Sequence, residues 1–279
     1  MDVKPKKLAV LIDADNSSIN SIQSVLEEIA KYGIASVKRV YGDWSNESLK
    51  NWRDILLPHA ITPVQQFAYT KGKDATDMIL IIDAMDLLYS GALDGFCIVS
   101  SDSDFTPLAS RIRESGLMVY GFGKNKTPEA FRKACDKFIY IENLLLQPDI
   151  EIKSNGVKDL IKSEPPEKEP INNELILKQQ TPNSALKDET LQILEIKPVQ
   201  QLDRATLNLI YKAVKDSSDD EGWANLAVVG QYMTAIKPDF DSRNYGRAKL
   251  SGLIKTLNLF ETKIVGSQMY LRKAKNKIN

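Results

Sequence analysis

The chain has 279 residues, 43% of them hydrophobic and 27% charged, with 37 Lys+Arg against 37 Asp+Glu and therefore a formal net charge of zero. This is the composition of a soluble protein of two ordinary domains. The longest apolar runs, such as Met78 to Ile82, fall far short of the roughly 20 residues of a membrane span; the N-terminus lacks the apolar core of a signal peptide; and two cysteines without CxxC spacing plus a single histidine, His59, exclude zinc and disulfide frameworks, so no membrane partner and a cytoplasmic location are expected.

Residues 7 to 142 alternate strand and helix patterns. Strands are expected at Leu8 to Ile12, Ser36 to Tyr41, Ile61 to Phe67, Phe96 to Val99 and Met118 to Tyr120, and helices at Ser18 to Lys31, Leu49 to Leu57, Ala75 to Tyr89 and Phe105 to Glu114. Short apolar strands linked by helices make a parallel sheet covered on both faces, so the expected fold class is a three-layer α/β/α sheet over residues 1–148. Ser17 or Ser18 is expected to cap the first helix, and Thr127-Pro128 to open another with proline at its first position. Between about Asp149 and Pro182 the pattern dissolves into Lys, Glu, Asn, Gln and Pro, which reads as a flexible polar linker over 149–184.

Beyond it, helical patterns at Leu186 to Ile196, Ala205 to Lys215, Leu226 to Ala235 and Tyr245 to Leu257 precede two strand candidates, Leu259 to Val265 and Gln268 to Arg272, around Gly266. Helices followed by a hairpin suggest a second, smaller winged helix-turn-helix domain over 185–279. From Arg247 onward the basic residues Arg247, Lys249, Lys255, Lys263, Arg272, Lys273, Lys275 and Lys277 face a single acid, Glu261; this arm suits a polyanion, and equally a solvated tail.

Carboxylates recur where apolar runs end. Asp13 closes the first strand with Asn16 one turn beyond it, Asp77 falls in the first turn of a helix with Asp74 and Asp83 around it, and Asp102 and Asp104 follow the fourth strand. In an open α/β sheet such residues share the crevice outside the carboxyl ends of the strands. Converging carboxylates about 4 Å apart repel by roughly 4 kcal/mol at an effective dielectric of about 20, which protonation or a hard cation relieves; oxygen-only ligands favour Mg2+ or Mn2+. If their segment stays extended, Asp102 and Asp104 point the same way; the alternative is that Ser101 to Asp104 merely caps the next helix. Gly121-Phe122-Gly123 lacks the third glycine of a phosphate-binding turn and reads as an ordinary turn, and His59 as a loop or helix-end residue.

Leu11-Ile12-Asp13-Ala14-Asp15-Asn16, Lys73-Asp74-Ala75-Thr76-Asp77 and Ser100-Ser101-Asp102-Ser103-Asp104-Phe105-Thr106-Pro107-Leu108 together resemble, over about residues 6 to 145, the NYN domain of the PIN-like nuclease superfamily, in its LabA-like bacterial branch. The resemblance implies a one- or two-metal ribonuclease site in which Asp13, Asp77, Asp102 and Asp104 match the family's acids and Asn16 its polar neighbour. Ser101 stands where glycine is commonest in that family. Lys73 and Lys124 are candidates for phosphate contact from their charge and proximity to these motifs.

Glu221-Gly222-Trp223-Ala224-Asn225-Leu226 with Val229-Gly230, and Pro238-Asp239-Phe240-Asp241-Ser242-Arg243-Asn244-Tyr245-Gly246, are dense in glycine, aromatic and capping residues. Trp223 and Phe240 are expected to anchor a small core. Over about residues 185 to 274 these runs resemble the OST-HTH or LOTUS domain, which implies a winged helix that binds RNA in some members and protein partners in others. Arg243, Tyr245, Arg247 and Lys249 are the expected RNA contacts, with the wing contributing Lys263 to Arg272.

The function expected from both resemblances is a metal-dependent ribonuclease whose substrate, single-stranded or structured RNA, is recruited by the second domain. A protein partner through that domain and a homodimer are further expectations. The rival readings are a non-catalytic RNA-binding adaptor and a HAD-like phosphohydrolase using the Asp13-Ala14-Asp15 spacing, with Asp13 as nucleophile.

Overall fold

The computed structural model describes residues 4–67, 75–145 and 202–274. The expected linker, the expected helix Leu186 to Ile196, and Lys71, Lys73, Asp74, Lys275 and Lys277 lie outside the described residues.

Six strands, β1 (Lys7–Asp13), β2 (Ile34–Gly42), β3 (Thr62–Gln65), β4 (Gly95–Val99), β5 (Met118–Gly123) and β6 (Lys137–Tyr140), form one sheet. Their order is β3-β2-β1-β4-β5-β6, with every pairing parallel. A parallel sheet must be covered twice, and β1 shows how its sequence answers that: every residue after Lys7 is buried, with side chains dividing between two cores. Leu8, Val10 and Ile12 pack with Ile22, Val25 and Ile29 of α1 (Ile22–Ile29) and with residues flanking α2 (Arg53–Leu56) and in α6 (Glu142–Leu145). Ala9 and Leu11 pack under α3 (Ala75–Tyr89), α4 (Thr106–Glu114) and α5 (Glu129–Ala134). Each fully buried Leu, Ile or Phe contributes about 1.5–3 kcal/mol relative to exposure. This is the expected three-layer α/β/α class.

Several local details depart from expectation. Ser18 precedes a 3-10 turn, Ile19–Ser21, without a side-chain cap, and the Ser17 hydroxyl donates to the Val99 carbonyl at 3.1 Å instead. Pro128 is the residue before α5 rather than its first, and Thr127 makes no cap but donates to the Lys124 carbonyl. Gly121 and Gly123 lie inside β5, not in a turn; a Cβ on Gly121 would come 2.6 Å from the Phe138 ring, so the strand needs glycine for close packing against β6. β6 is an addition that the apolar pattern did not reveal, because only four residues, Lys137 to Tyr140, make up the strand.

The C-terminal region comprises α7 (Arg204–Asp216), a short β7 (Ala224–Asn225), α8 (Leu226–Ile236), α9 (Leu250–Leu257), β8 (Phe260–Val265) and β9 (Gln268–Lys273), with a three-stranded sheet ordered β7-β9-β8. Asp203 caps α7 and Asn225 caps α8 through their side chains. The expected helix Tyr245 to Leu257 is broken: a 3-10 turn, Ser242–Tyr245, capped by Asp241, ends at Gly246 with φ 69°, and α9 starts only at Leu250. Phe240 belongs to the core, its ring tilted against that of Tyr245, whereas Trp223 is half-buried outside it, beneath the wing.

Candidate functional site

The strand order reverses between β1 and β4, and the crevice at such a switch point opens at the carboxyl ends of those strands. Asp13 ends β1 there and is fully buried. One carboxylate oxygen accepts the backbone N–H of Asp15 at 3.0 Å and of Asn16 at 3.2 Å; the other accepts the Asn16 side-chain amide and the Ser100 hydroxyl, each at 2.8 Å. A carboxylate offers about four acceptor sites, and all four are taken. Asp13 therefore holds the loop after β1 in place and must give up a bond to take a cation. Asn16 binds Asp13 through both its backbone N–H and its side-chain amide.

Ser100, itself buried at the end of β4, joins the two strands: its hydroxyl donates to Asp13 and accepts the Asp102 N–H at 3.0 Å. Asp102 then caps the 3-10 turn Ser103–Phe105, accepting the Asp104 N–H at 2.9 Å. The segment is thus not extended, and the capping alternative describes its backbone. A half-buried Asp102 and an exposed Asp104 remain at the rim of the crevice. From the next strand, the Ser101 hydroxyl accepts the Lys124 N–H at 2.9 Å, which places the Lys124 backbone against this loop.

Two acids that sequence reasoning left out of the site stand here as well. Asp43 directly follows β2, and its carboxylate accepts Ser45 N–H and Gln65 Nε2, at 3.1 and 2.9 Å. Asp15 has its pKa raised, first by partial burial and then by the charges of Asp13 and Asp43, while a hydrogen bond with Thr76 works the other way. Thr76 precedes Asp77 in the first turn of α3, so Asp15 links the acids after β1 and β2 to the start of that helix. The signal that would have found Asp43 is the one that found Asp13: an acid at the end of an apolar strand. Asp83, by contrast, faces the sheet, where Arg39 and the Tyr41 hydroxyl bind it as a structural pair.

These donors are all oxygen, the chemistry of a hard divalent cation. Among the described residues, however, no three carboxylate, cysteine or histidine side chains are grouped closely enough to hold a metal ion.

On the C-terminal domain the six expected RNA contacts divide. Arg243 is bonded to Glu28 and Asp241, and Tyr245 is buried with its hydroxyl 3.3 Å from Thr206 Oγ1, so neither presents a contact surface. Arg247 and Lys249 are exposed on the stretch before α9. Lys263 and Arg272 lie over the Trp223 ring, 4.2 and 4.5 Å from its centroid, and Arg272 also pairs with Glu261 at 2.6 Å. His59 is a loop residue whose carbonyl accepts the Lys38 ammonium.

Among solved structures, the chain is similar to a protein of unknown function from Vibrio parahaemolyticus RIMD 2210633, with 17% identity, a TM-score of 0.42, and coverage of 50% of this chain and 96% of that one. It is also similar to an uncharacterized protein from Nitrosomonas europaea, with 36% identity, a TM-score of 0.26, and coverage of 34% and 97%. No curated protein matches the chain. No described helix is long and apolar enough to cross a membrane. The NYN domain family matches residues 7–142, and the OST-HTH/LOTUS domain family matches residues 197–270. The chain therefore carries an NYN domain, of the PIN-like nuclease superfamily whose members generally use divalent metal ions, followed by an OST-HTH/LOTUS domain, a pairing that suggests an RNA-related nuclease.

Proposed function

We propose that the protein is a metal-dependent ribonuclease hydrolysing RNA phosphodiester bonds, with its substrate held by the C-terminal domain. The observation that carries the reading is Ser100, whose one hydroxyl ties Asp13 of β1 to the Asp102 turn of β4 and so gathers the acids of two strands at the switch point. A divalent ion, Mg2+ or Mn2+, bound here would supply an acidified water and neutralise charge on the scissile phosphate. Asp77, Asp102 and Asp104, the acids that match the family's, are not grouped closely enough to hold it as they stand and would have to draw together around it, joined by Asp13 once that residue releases a bond. Asn16 and Ser100 keep the Asp13 loop fixed, and a carboxylate that does not hold the ion would orient the attacking water. The Lys124 ammonium is a candidate for the substrate phosphate.

RNA affinity would come from the exposed Arg247 and Lys249 and from the wing cations Lys263 and Arg272, largely through phosphate contacts that weaken with salt. Holding RNA on the same chain raises its local concentration to around millimolar without new contacts at the site.

A second reading, an RNA-binding adaptor without catalysis, is favoured by the absence of a three-ligand group among the described residues. The phosphohydrolase reading is disfavoured: Asp13, buried with both oxygens bonded, is not presented as a nucleophile. The deciding experiment incubates the protein with end-labelled single-stranded RNA, with and without Mn2+ or Mg2+, beside an Asp102→Asn, Asp104→Asn double variant. Metal-dependent cleavage lost in the variant supports the ribonuclease; binding without cleavage by the unaltered protein supports the adaptor.

A further inference from the structure

Segment 238–244, which carries the proline, aromatic and arginine residues of the OST-HTH signature, is bound to the NYN domain. The Phe138 N–H, on the outer side of edge strand β6, donates to the Pro238 carbonyl at 3.0 Å. A proline has no N–H to return, so this contact covers the edge without starting another ladder. Next to it, Asp239, 8% exposed, binds the Arg132 guanidinium and accepts the Tyr140 hydroxyl at 2.7 Å. Arg243 forks onto two carboxylates at once, Asp241 of its own domain at 2.6–3.1 Å and Glu28 of the other at 3.1 and 3.3 Å. Glu28, only 5% exposed, also binds Lys31 at 2.7 Å and the Tyr32 hydroxyl at 2.8 Å. Asn143 Nδ2 donates to Asn244 Oδ1 at 2.5 Å.

Each acid of this patch has a basic partner, Arg132 on Asp239, Arg243 on Asp241, and Lys31 with Arg243 on Glu28, while the Lys137 ammonium lies over the Tyr32 ring; Glu28 and Asp239 are buried. Bidentate guanidinium–carboxylate contacts fix direction as well as distance. Burial pushes the Glu28 carboxyl up, but hydrogen bonds from Lys31, Arg243 and Tyr32 outweigh it and hold its pKa down to about 2.

We propose that segment 238–244 is an intramolecular docking element that fixes the C-terminal domain, in one orientation, on the β6 edge of the NYN domain, and that Arg243 serves this docking rather than RNA contact. RNA binding is thereby left to Arg247, Lys249 and the wing.

The test uses the full chain with Asn143→Cys and Asn244→Cys, oxidised by oxidised glutathione at low protein concentration. The native Cys97 and Cys135 are buried and their thiols pushed up by that burial, so they stay out of the exchange. The expected result is a cross-link within one chain, seen by mass spectrometry after proteolysis. Adding Arg243→Gln or Glu28→Gln slows it about ten-fold, and the two together slow it no further than either alone, because they remove one shared contact. Arg243→Gln leaves RNA affinity within about two-fold, whereas Arg247→Ala with Lys249→Ala lowers it. No cross-link, a cross-link only between chains, or loss of RNA affinity in Arg243→Gln with the cross-linking rate unchanged overturns the proposal. The cross-linking arm needs neither RNA binding nor catalysis, so its failure is separate from failure of the ribonuclease reading.

Discussion

The protein gathers charge at two places on one sheet, the carboxyl ends of the central strands and the β6 edge, and the two gatherings differ in kind. At the switch point the recurring groups are of one sign: Asp13 is held by neutral donors, and Asp15 feels the charges of Asp13 and Asp43. At the β6 edge the signs alternate, with Arg132 on Asp239 and Arg243 between Glu28 and Asp241. A fold that needed only stability would build the second arrangement everywhere, because like charges in proximity raise the free energy of the folded state. On the proposed function, the comparison separates acids kept for chemistry from ion pairs kept for cohesion.

Four variants test that separation. The largest effect is expected from Asp102→Asn with Asp104→Asn. Asn keeps the oxygen that caps the 3-10 turn, so the melting temperature should stay within about 2 °C while the metal-dependent cleavage rate falls by at least about 100-fold. Single-turnover cleavage and a thermal melt of the same preparation check both halves, and equal cleavage would remove the acidic end from the chemistry. At the β6 edge, Asp239→Ala strips Arg132 and Tyr140 of their shared acceptor in a mostly buried place, and should lower stability by about 3 kcal/mol by urea denaturation. A change under about 1 kcal/mol would mean that the edge contact contributes little cohesion.

Gly123→Ala acts between the two. Its Cβ would stand 2.6 Å from the Ser100 carbonyl oxygen and 2.9 Å from the Phe138 ring, so backbone must move. Overpacking of this kind costs about 1–3 kcal/mol. Because the displaced residue is Ser100, cleavage should fall more than the stability loss accounts for when it is measured well below the melting temperature.

Much of the sheet was legible because buried parallel strands write themselves as apolar runs: β1, β4 and the helix Ala75–Tyr89 were readable from Leu8 to Ile12, Phe96 to Val99 and the apolar content of residues 75–89. Strand β6 was not, since four residues beginning with a lysine give no period to count. The acids after β1 and β4 were legible from position alone, but their hydrogen bonds were not. Sequence cannot say that all four acceptor sites of Asp13 are filled, nor that Asn16 serves Asp13. Arg243 misled for a related reason. A basic residue in a turn looks like a polyanion contact, and its partner Glu28 lies 215 positions away. The break at Gly246 was hidden because a periodic pattern continues across it, and only the positive φ there shows that the helix cannot.

The smallest effect has the most telling sign. Asp15 has its pKa raised above 3.8 by burial and by Asp13 and Asp43, so the folded protein binds that proton more tightly than the unfolded chain. The stability this confers is present below pH 3.8 and is lost as pH rises through the raised value, leaving an ionised Asp15 as a net cost at neutral pH. Asp15→Asn should therefore raise the melting temperature at pH 7 by about 1–2 °C, an effect discounted for the side chain's exposure, and the gain should shrink in 1 M salt and vanish in acid. Melts at pH 3 and pH 7, each at low and high salt, check it. Neutralising an acid at the β6 edge has the opposite sign, so a destabilised Asp15→Asn would place the switch-point acids in the cohesive class and leave the case for chemistry there to the cleavage assay alone.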